Sequence, residues 1–172
     1  MSEGDKRLAV DIRRSTIEDF EGFYECFAAV CRERRFLALV EPPPREHARA
    51  FTEDAWRRGM VRYVAVADSA VVGWCDVIPS PWEGFRHVGR LGMGVAPAFR
   101  GKGIGYRLLD ATVQGAHAER LLRIELEVFS SNASAVRLYE RYGFVREGAH
   151  RKGRIIDGSV EDVLIMGLLF DE

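Results

Sequence analysis

Seven glycines crowd residues 84–105 (Gly84, Gly89, Gly92, Gly94, Gly101, Gly103 and Gly105), and the last three form the run Arg100-Gly101-Lys102-Gly103-Ile104-Gly105. Such a run at the start of a helix suits a bound anion. The first N–H groups of a helix have no internal partner, carry the positive end of its dipole and together receive a phosphate or pyrophosphate. Glycine removes the side chains that would hold the anion off, while Arg100 and Lys102 add charge. A turn that only joins a strand to a helix would show the same letters. Two nucleotide motifs fail on spacing. Lys102 is followed by Gly103 instead of the Ser or Thr of a P-loop, and the last glycine of a G-x-G-x-x-G fingerprint is Tyr106 counted from Gly101 and Leu108 counted from Gly103. Cys26, Cys31 and Cys75 form no C-x-x-C pair, and His47, His87, His117 and His150 are scattered. No metal site and reduced thiols are therefore expected.

The elements that must hold this loop follow from periodicity. Residues 86–95 predict a glycine-rich strand closed by Pro97, and the loop leads into a helix that runs to Glu119. Upstream, residues 10–14 predict a strand, and Ser15 or Thr16 offers an N-cap. Ile17, Phe20, Phe23, Tyr24, Phe27, Val30 and Cys31 then recur on one apolar helix face. A second helix is expected over residues 45–58, with Ala48, Phe51 and Ala55 inward. Residues 62–67 and 70–77 read as a hairpin about Asp68-Ser69. Downstream, residues 122–129 alternate as a strand with Leu122, Ile124, Leu126 and Val128 on one face. Asn132 caps a helix whose Ala135, Leu138, Tyr139 and Tyr142 share a face, and Gly143 ends it. Residues 144–156 and 159–169 flank Asp157-Gly158, a type I′ hairpin signal. Strand–helix–strand units between two hairpins predict a mixed sheet covered by helices.

The length of 172 residues, 47% of them hydrophobic, fits a single domain over residues 1–172 with one core. A net charge of −1, from 25 Lys plus Arg against 26 Asp plus Glu, gives no basic field and argues against nucleic acid as a partner. No run approaches the ~18 apolar residues that cross a membrane. The charged start Met1-Ser2-Glu3-Gly4-Asp5-Lys6-Arg7 lacks a leader's apolar core, so a cytoplasmic location is expected.

The run Leu91-Gly92-Met93-Gly94-Val95-Ala96-Pro97-Ala98-Phe99-Arg100-Gly101-Lys102-Gly103-Ile104-Gly105 resembles the acetyl-CoA signature (Gln/Arg-x-x-Gly-x-Gly/Ala) of the GNAT superfamily of N-acetyltransferases. Leu126-Glu127-Val128-Phe129-Ser130-Ser131-Asn132 and Leu138-Tyr139-Glu140-Arg141-Tyr142-Gly143-Phe144 resemble that family's next strand and helix. These blocks cover residues 87–148, about a third of the chain, in the family's order. The resemblance implies an α/β (α+β) fold with a mixed, mostly antiparallel sheet of about six or seven strands and about four helices. It implies acetyl-CoA as donor, with its pantetheine arm between the two splayed strands beside Met93, Gly94 and Val95. Its pyrophosphate would lie on the N–H groups from Gly101 to Tyr106 (Gly101, Lys102, Gly103, Ile104, Gly105, Tyr106), near Arg100, and Asn132 would contact the cofactor. Gly92 and Gly94 are expected to leave the cofactor room.

Acyl transfer to an amine needs a base for the amine proton, a donor for the oxyanion and an acid for the leaving thiolate. Tyr139 matches the family tyrosine near the cofactor sulfur, and a phenol can protonate a thiolate. Glu127 stands where related N-terminal acetyltransferases carry a glutamate, with Glu125 on the same strand face. Partial burial would suit such a base. Many members instead carry a carboxylate on the preceding strand, where this chain has His87 and Arg90. That leaves Glu127, or water relayed through it, as the base, with a backbone N–H near Val95 as oxyanion donor. The acceptor is expected to meet the apolar loop Phe36-Leu37-Ala38-Leu39-Val40-Glu41-Pro42-Pro43-Pro44, which suits an amino acid or other small amine better than a polyamine. A protein N-terminus is the alternative, and an acetyl-CoA sensor without catalysis is a reading of another class. The apolar tail Val163–Phe170 would serve either a homodimer or a strand buried within one chain.

Overall fold

The computed structural model describes residues 9–171. β1 (Asp11–Arg14) leads through a 3₁₀ turn to α1 (Phe20–Arg32) and α2 (Arg45–Arg57). The hairpin β2 (Val61–Ala67) and β3 (Ala70–Pro79) is followed by β4 (Val88–Val95), α3 (Ile104–Ala118), β5 (Arg123–Phe129) and α4 (Ala133–Tyr142). β6 (Val145–Ile156) and β7 (Ser159–Leu169) close the chain. The seven strands form one sheet in the order β1-β2-β3-β4-β5-β7-β6, in which β4 and β5 are the parallel neighbours and the other pairs are antiparallel. Among the described residues no helix is long and apolar enough to cross a membrane.

Local chemistry explains the boundaries. The Thr16 N–H donates to Asp19 Oδ2 at 2.8 Å, closing a capping box ahead of α1. Asp157 and Gly158 adopt φ of +48° and +77°, as a type I′ turn between β6 and β7 requires. Asp68 and Ser69 do the same between β2 and β3, with φ of +46° and +65°. β7 is paired on both edges, with β5 and β6, so burial inside the sheet accounts for the apolar tail.

One sheet face packs on α3 and α4 through Leu108, Leu109, Ile124, Leu126, Val136 and Met166. The opposite face packs on α1 through Phe20, Phe23, Tyr24, Val64 and Trp74. Three expected core positions lie outside it. Ile17 is exposed because it falls in the 3₁₀ turn before α1. In α2 the inward line runs Ala48, Thr52, Ala55, which turns Phe51 outward to 56% exposure. Leu122 is also exposed, at the end of the sheet just before β5, where Leu121 enters the core instead. Beneath α1, Arg62 and Asp76 form a buried ion pair at 2.9 Å, with the guanidinium 3.7 Å from the Phe23 ring centroid.

Removing one partner of a buried pair leaves an uncompensated charge. Asp76→Ala is expected to cost about 3–5 kcal/mol in urea unfolding.

Candidate functional site: a cleft where two strands part

β4 and β5 pair only at Val88–Arg90 with Arg123–Glu125 and then separate. Which backbone groups line the gap follows from the register of β4 on β3. Ser80 N–H donates to Val88 O at 3.0 Å and Ala96 N–H to Val72 O at 2.8 Å. The even-numbered residues of β4 therefore bond to β3, and Leu91, Met93 and Val95 turn their N–H and C=O groups toward β5. Past Arg90 those groups have no strand opposite them. The Val95 carbonyl accepts from Arg100 Nε at 2.8 Å, which leaves the Val95 N–H and both polar groups of Met93 facing the gap.

The gap opens onto the glycine loop. Gly101 and Gly103 have φ of +72° and +76°, and nothing lies within 4 Å of a Cβ built there, so backbone conformation demands glycine. The first hydrogen bond into α3 runs from Arg107 N–H to the Gly103 carbonyl. Among the described residues, the N–H groups of residues 101–106 have no backbone acceptor, so the loop and the α3 N-terminus form one anion-binding turn.

The two charges expected beside it are engaged with protein groups. Arg100 donates through Nη1 to Glu33 Oε2 at 2.8 Å and covers the Phe36 ring at 4.7 Å, so it braces the loop after α1. Lys102 Nζ donates to the Ala98 carbonyl at 3.0 Å. Arg137 and Arg141 on α4 also line the cleft, and Arg141 lies 5.1 Å from the Tyr106 ring centroid. Neither has an ion-pair partner among the described residues. The helical spacing after Asn132 was the sequence signal for them.

Gly94 has a different role from the one expected. A Cβ there would lie 2.3 Å from Trp74 Cη2, so the missing side chain accommodates the indole on the α1 face. At Gly92 a Cβ would lie 3.3 Å from Asp76 Oδ1. These two glycines fit the sheet to its own buried side chains.

Tyr139 is buried on α4, with its ring 5.7 Å from that of Phe144. Burial pushes its phenol well above the usual range, so it stays protonated. No hydrogen bond from protein meets its hydroxyl among the described residues, and no sealed side-chain polar atom there lacks a partner. The hydroxyl therefore borders open space in the cleft. Asn132 caps α4, its Oδ1 accepting from Ala135 N–H at 3.3 Å, and it also lines the cleft. Glu127 Oε1 is 2.8 Å from Arg90 Nη2, and its side chain is 43% exposed. More than half of that side chain is covered, and it lines the cleft. Glu125 leans toward Arg123 at 3.6 Å. Burial pushes the Cys26 and Cys31 thiols up to about 11, so neither is a nucleophile at neutral pH.

The cleft encloses about 900 Å³ and extends past Tyr139 to an apolar end formed by Val30, Phe36, Leu37, Ala38 and Phe129. That end is tied to the last hairpin. Arg154 on β6 donates to the carbonyls of Arg35 at 3.0 Å and Arg34 at 3.2 Å, sits 4.0 Å from the Phe129 ring centroid and pairs with Glu161 at 2.8 Å. Arg34 in turn pairs with Asp157 at the hairpin turn, at 2.9 Å.

The chain matches the Acetyltransferase (GNAT) family over residues 23–144. It belongs to that family. It is 29% identical over 157 residues to the L-amino acid N-acetyltransferase AaaT of Escherichia coli K12, covering 90% of this chain and 94% of that one. It is 37% identical over 144 residues to the L-methionine sulfoximine/L-methionine sulfone acetyltransferase of Pseudomonas aeruginosa, covering 82% and 83%. The structure of yncA from Salmonella typhimurium with its cofactor acetyl-CoA superposes with a TM-score of 0.88 at 22% identity over 95% of each chain. The fold is therefore the GNAT fold, and the chain is an N-acetyltransferase.

The Trp74 contact gives a test of the revised role of Gly94. Gly94→Ala should cost about 1–3 kcal/mol of stability through overpacking, read in urea unfolding. The same substitution at an open position, Gly84, should cost less than about 0.5 kcal/mol.

Proposed function

We propose that this N-acetyltransferase takes acetyl from acetyl-CoA and passes it directly to the primary amine of a small molecule, an amino acid foremost, in a ternary complex. One observation carries the reading. A single cleft joins the unpaired N–H groups of residues 101–106, the open backbone of Met93 and Val95, the Tyr139 hydroxyl and the apolar Phe36–Phe129 end.

In this reading the loop N–H groups hold the donor's pyrophosphate, with Arg137 and Arg141 adding charge. The pantetheine arm lies along Met93 and Val95 and completes the missing strand between β4 and β5. The acceptor nitrogen attacks the thioester carbon, and the developing oxyanion accepts from the Val95 N–H. Glu127 takes the proton that the amine sheds, directly or through one water. As the tetrahedral intermediate collapses, the C–S bond breaks and Tyr139 gives its proton to the thiolate, yielding the amide and free CoA. The burial that keeps Tyr139 a phenol also desolvates the departing thiolate and raises its basicity, which favours that transfer.

The acceptor end supports a small molecule. It is apolar, it is bounded by the loop that Arg154 and Arg100 brace, and among the described residues it lacks the acidic cluster a polyamine would call for. A second reading, a peptide N-terminus, is favoured by the Glu127 and Tyr139 block, which resembles enzymes that acetylate protein N-termini. Release of free thiol from acetyl-CoA across a panel of amino acids, small amines and peptides separates the two. Turnover with amino acids is expected, whereas turnover with peptides alone would reverse the preference and acetyl-CoA binding with no thiol release for any acceptor would favour the sensor.

Tyr139→Phe should lower kcat about tenfold or more with little change in acetyl-CoA affinity. Wild-type turnover in both Tyr139→Phe and Glu127→Gln would contradict the assigned acid and base.

A further inference from the structure

We propose that Arg90 anchors the carboxylate of an α-amino acid acceptor; this rests on the small-amine reading above and names its substrate class. Arg90 Nη2 lies 2.8 Å from Glu127 Oε1, both side chains line the cleft, and both stay open to solvent, at 62% and 43% exposure. An exposed ion pair of this kind contributes little to stability. It therefore opens readily for a ligand that supplies better partners.

A zwitterion is such a ligand. An α-amino acid carries its amine and its carboxylate on the same carbon, and Arg90 and Glu127 present a cation and an anion side by side. With the amine beside Glu127, where the proposed chemistry needs it, the carboxylate falls beside Arg90. A guanidinium binds a carboxylate through two parallel N–H donors, which fixes orientation as well as charge. Binding in this pose exchanges one ion pair for two.

The other cations of the cleft are unavailable for this role. Arg100 is held by Glu33 and the Val95 carbonyl. Arg137 and Arg141 sit on α4, alongside the glycine loop at the donor end. Arg154 lies behind Phe129, paired with Glu161 and bound to carbonyls of the loop after α1. The acceptor's side chain would then lie against Phe36, Leu37 and Phe129, which carry no charge, so an apolar amino acid fits best. A peptide presents an amide where the free amino acid has its carboxylate, so Arg90 selects against it.

The test compares kcat/KM for L-leucine and for L-leucinamide in the wild type, Arg90→Gln and Arg90→Lys, with acetyl-CoA binding as a check on folding. The wild type should prefer the free acid by about tenfold or more, as expected for a charge-assisted hydrogen-bonded pair. Arg90→Gln should collapse that preference to within about twofold of unity, mainly through KM for leucine. Arg90→Lys, which keeps the charge and loses the fork, should retain part of it. An acid-to-amide ratio unchanged in Arg90→Gln, with both substrates altered alike, would overturn the anchor while leaving the small-amine reading standing. Turnover of peptides with neither leucine nor its amide would overturn both.

Discussion

Everything at the site depends on the early end of the β4–β5 ladder. Three residues of each strand pair, and beyond Arg90 and Glu125 the strands diverge. A sheet that stops pairing in its middle leaves polar backbone exposed, which is costly unless water or a ligand satisfies it. Here the cost is concentrated on Met93, Val95 and the loop before α3. The protein satisfies one such group itself, through Arg100 on the Val95 carbonyl, and leaves its neighbours facing the cleft. The packing on either side holds this state. Trp74 fills the space over Gly94 on one face, and Met93 and Val95 pack into the α3 core on the other.

A second layer of interactions shapes the apolar end of the cleft, and one of its members, Arg100, also bonds to the Val95 carbonyl. Arg100 and Arg154 both reach the loop after α1, each with a carboxylate partner and an aromatic ring. Both side chains are more enclosed than the Arg90–Glu127 pair, so they act as fixed struts while that pair remains free to exchange partners. The apolar end of the cleft is bounded by the first helix–helix loop, which the last hairpin holds in place. In this chain those two segments are linked directly by Arg34 to Asp157 and by Arg154 to the carbonyls of Arg34 and Arg35.

Local signals were legible in the sequence where one residue type is demanded by geometry. Gly101 and Gly103 need positive φ, Asp157-Gly158 makes a type I′ turn and Asn132 caps α4, and each is where the letters put it. Burial was legible by periodicity in α1 and β5 but slipped by one position in α2, where Thr52 takes the inward place expected of Phe51. Long-range pairing was not legible. Nothing in the local pattern at Arg100 points to Glu33, 67 residues away, and nothing at Arg154 points to the loop after α1. The meaning of Gly94 was missed for the same reason, since the indole that needs the space comes from β3. Glu127 was found by motif, but its pairing with Arg90 follows from the parallel register of β4 beside β5, which composition does not encode.

The central claim is that the open backbone between β4 and β5 and the loop before α3 bind the donor as one continuous site. Amide hydrogen exchange with and without CoA measures this directly, residue by residue. The account predicts that CoA slows exchange at Met93, Val95 and residues 101–106 together, with little change on β1, β2 and α2. Protection at residues 101–106 with none at Met93 and Val95, or protection confined to other elements, would contradict it.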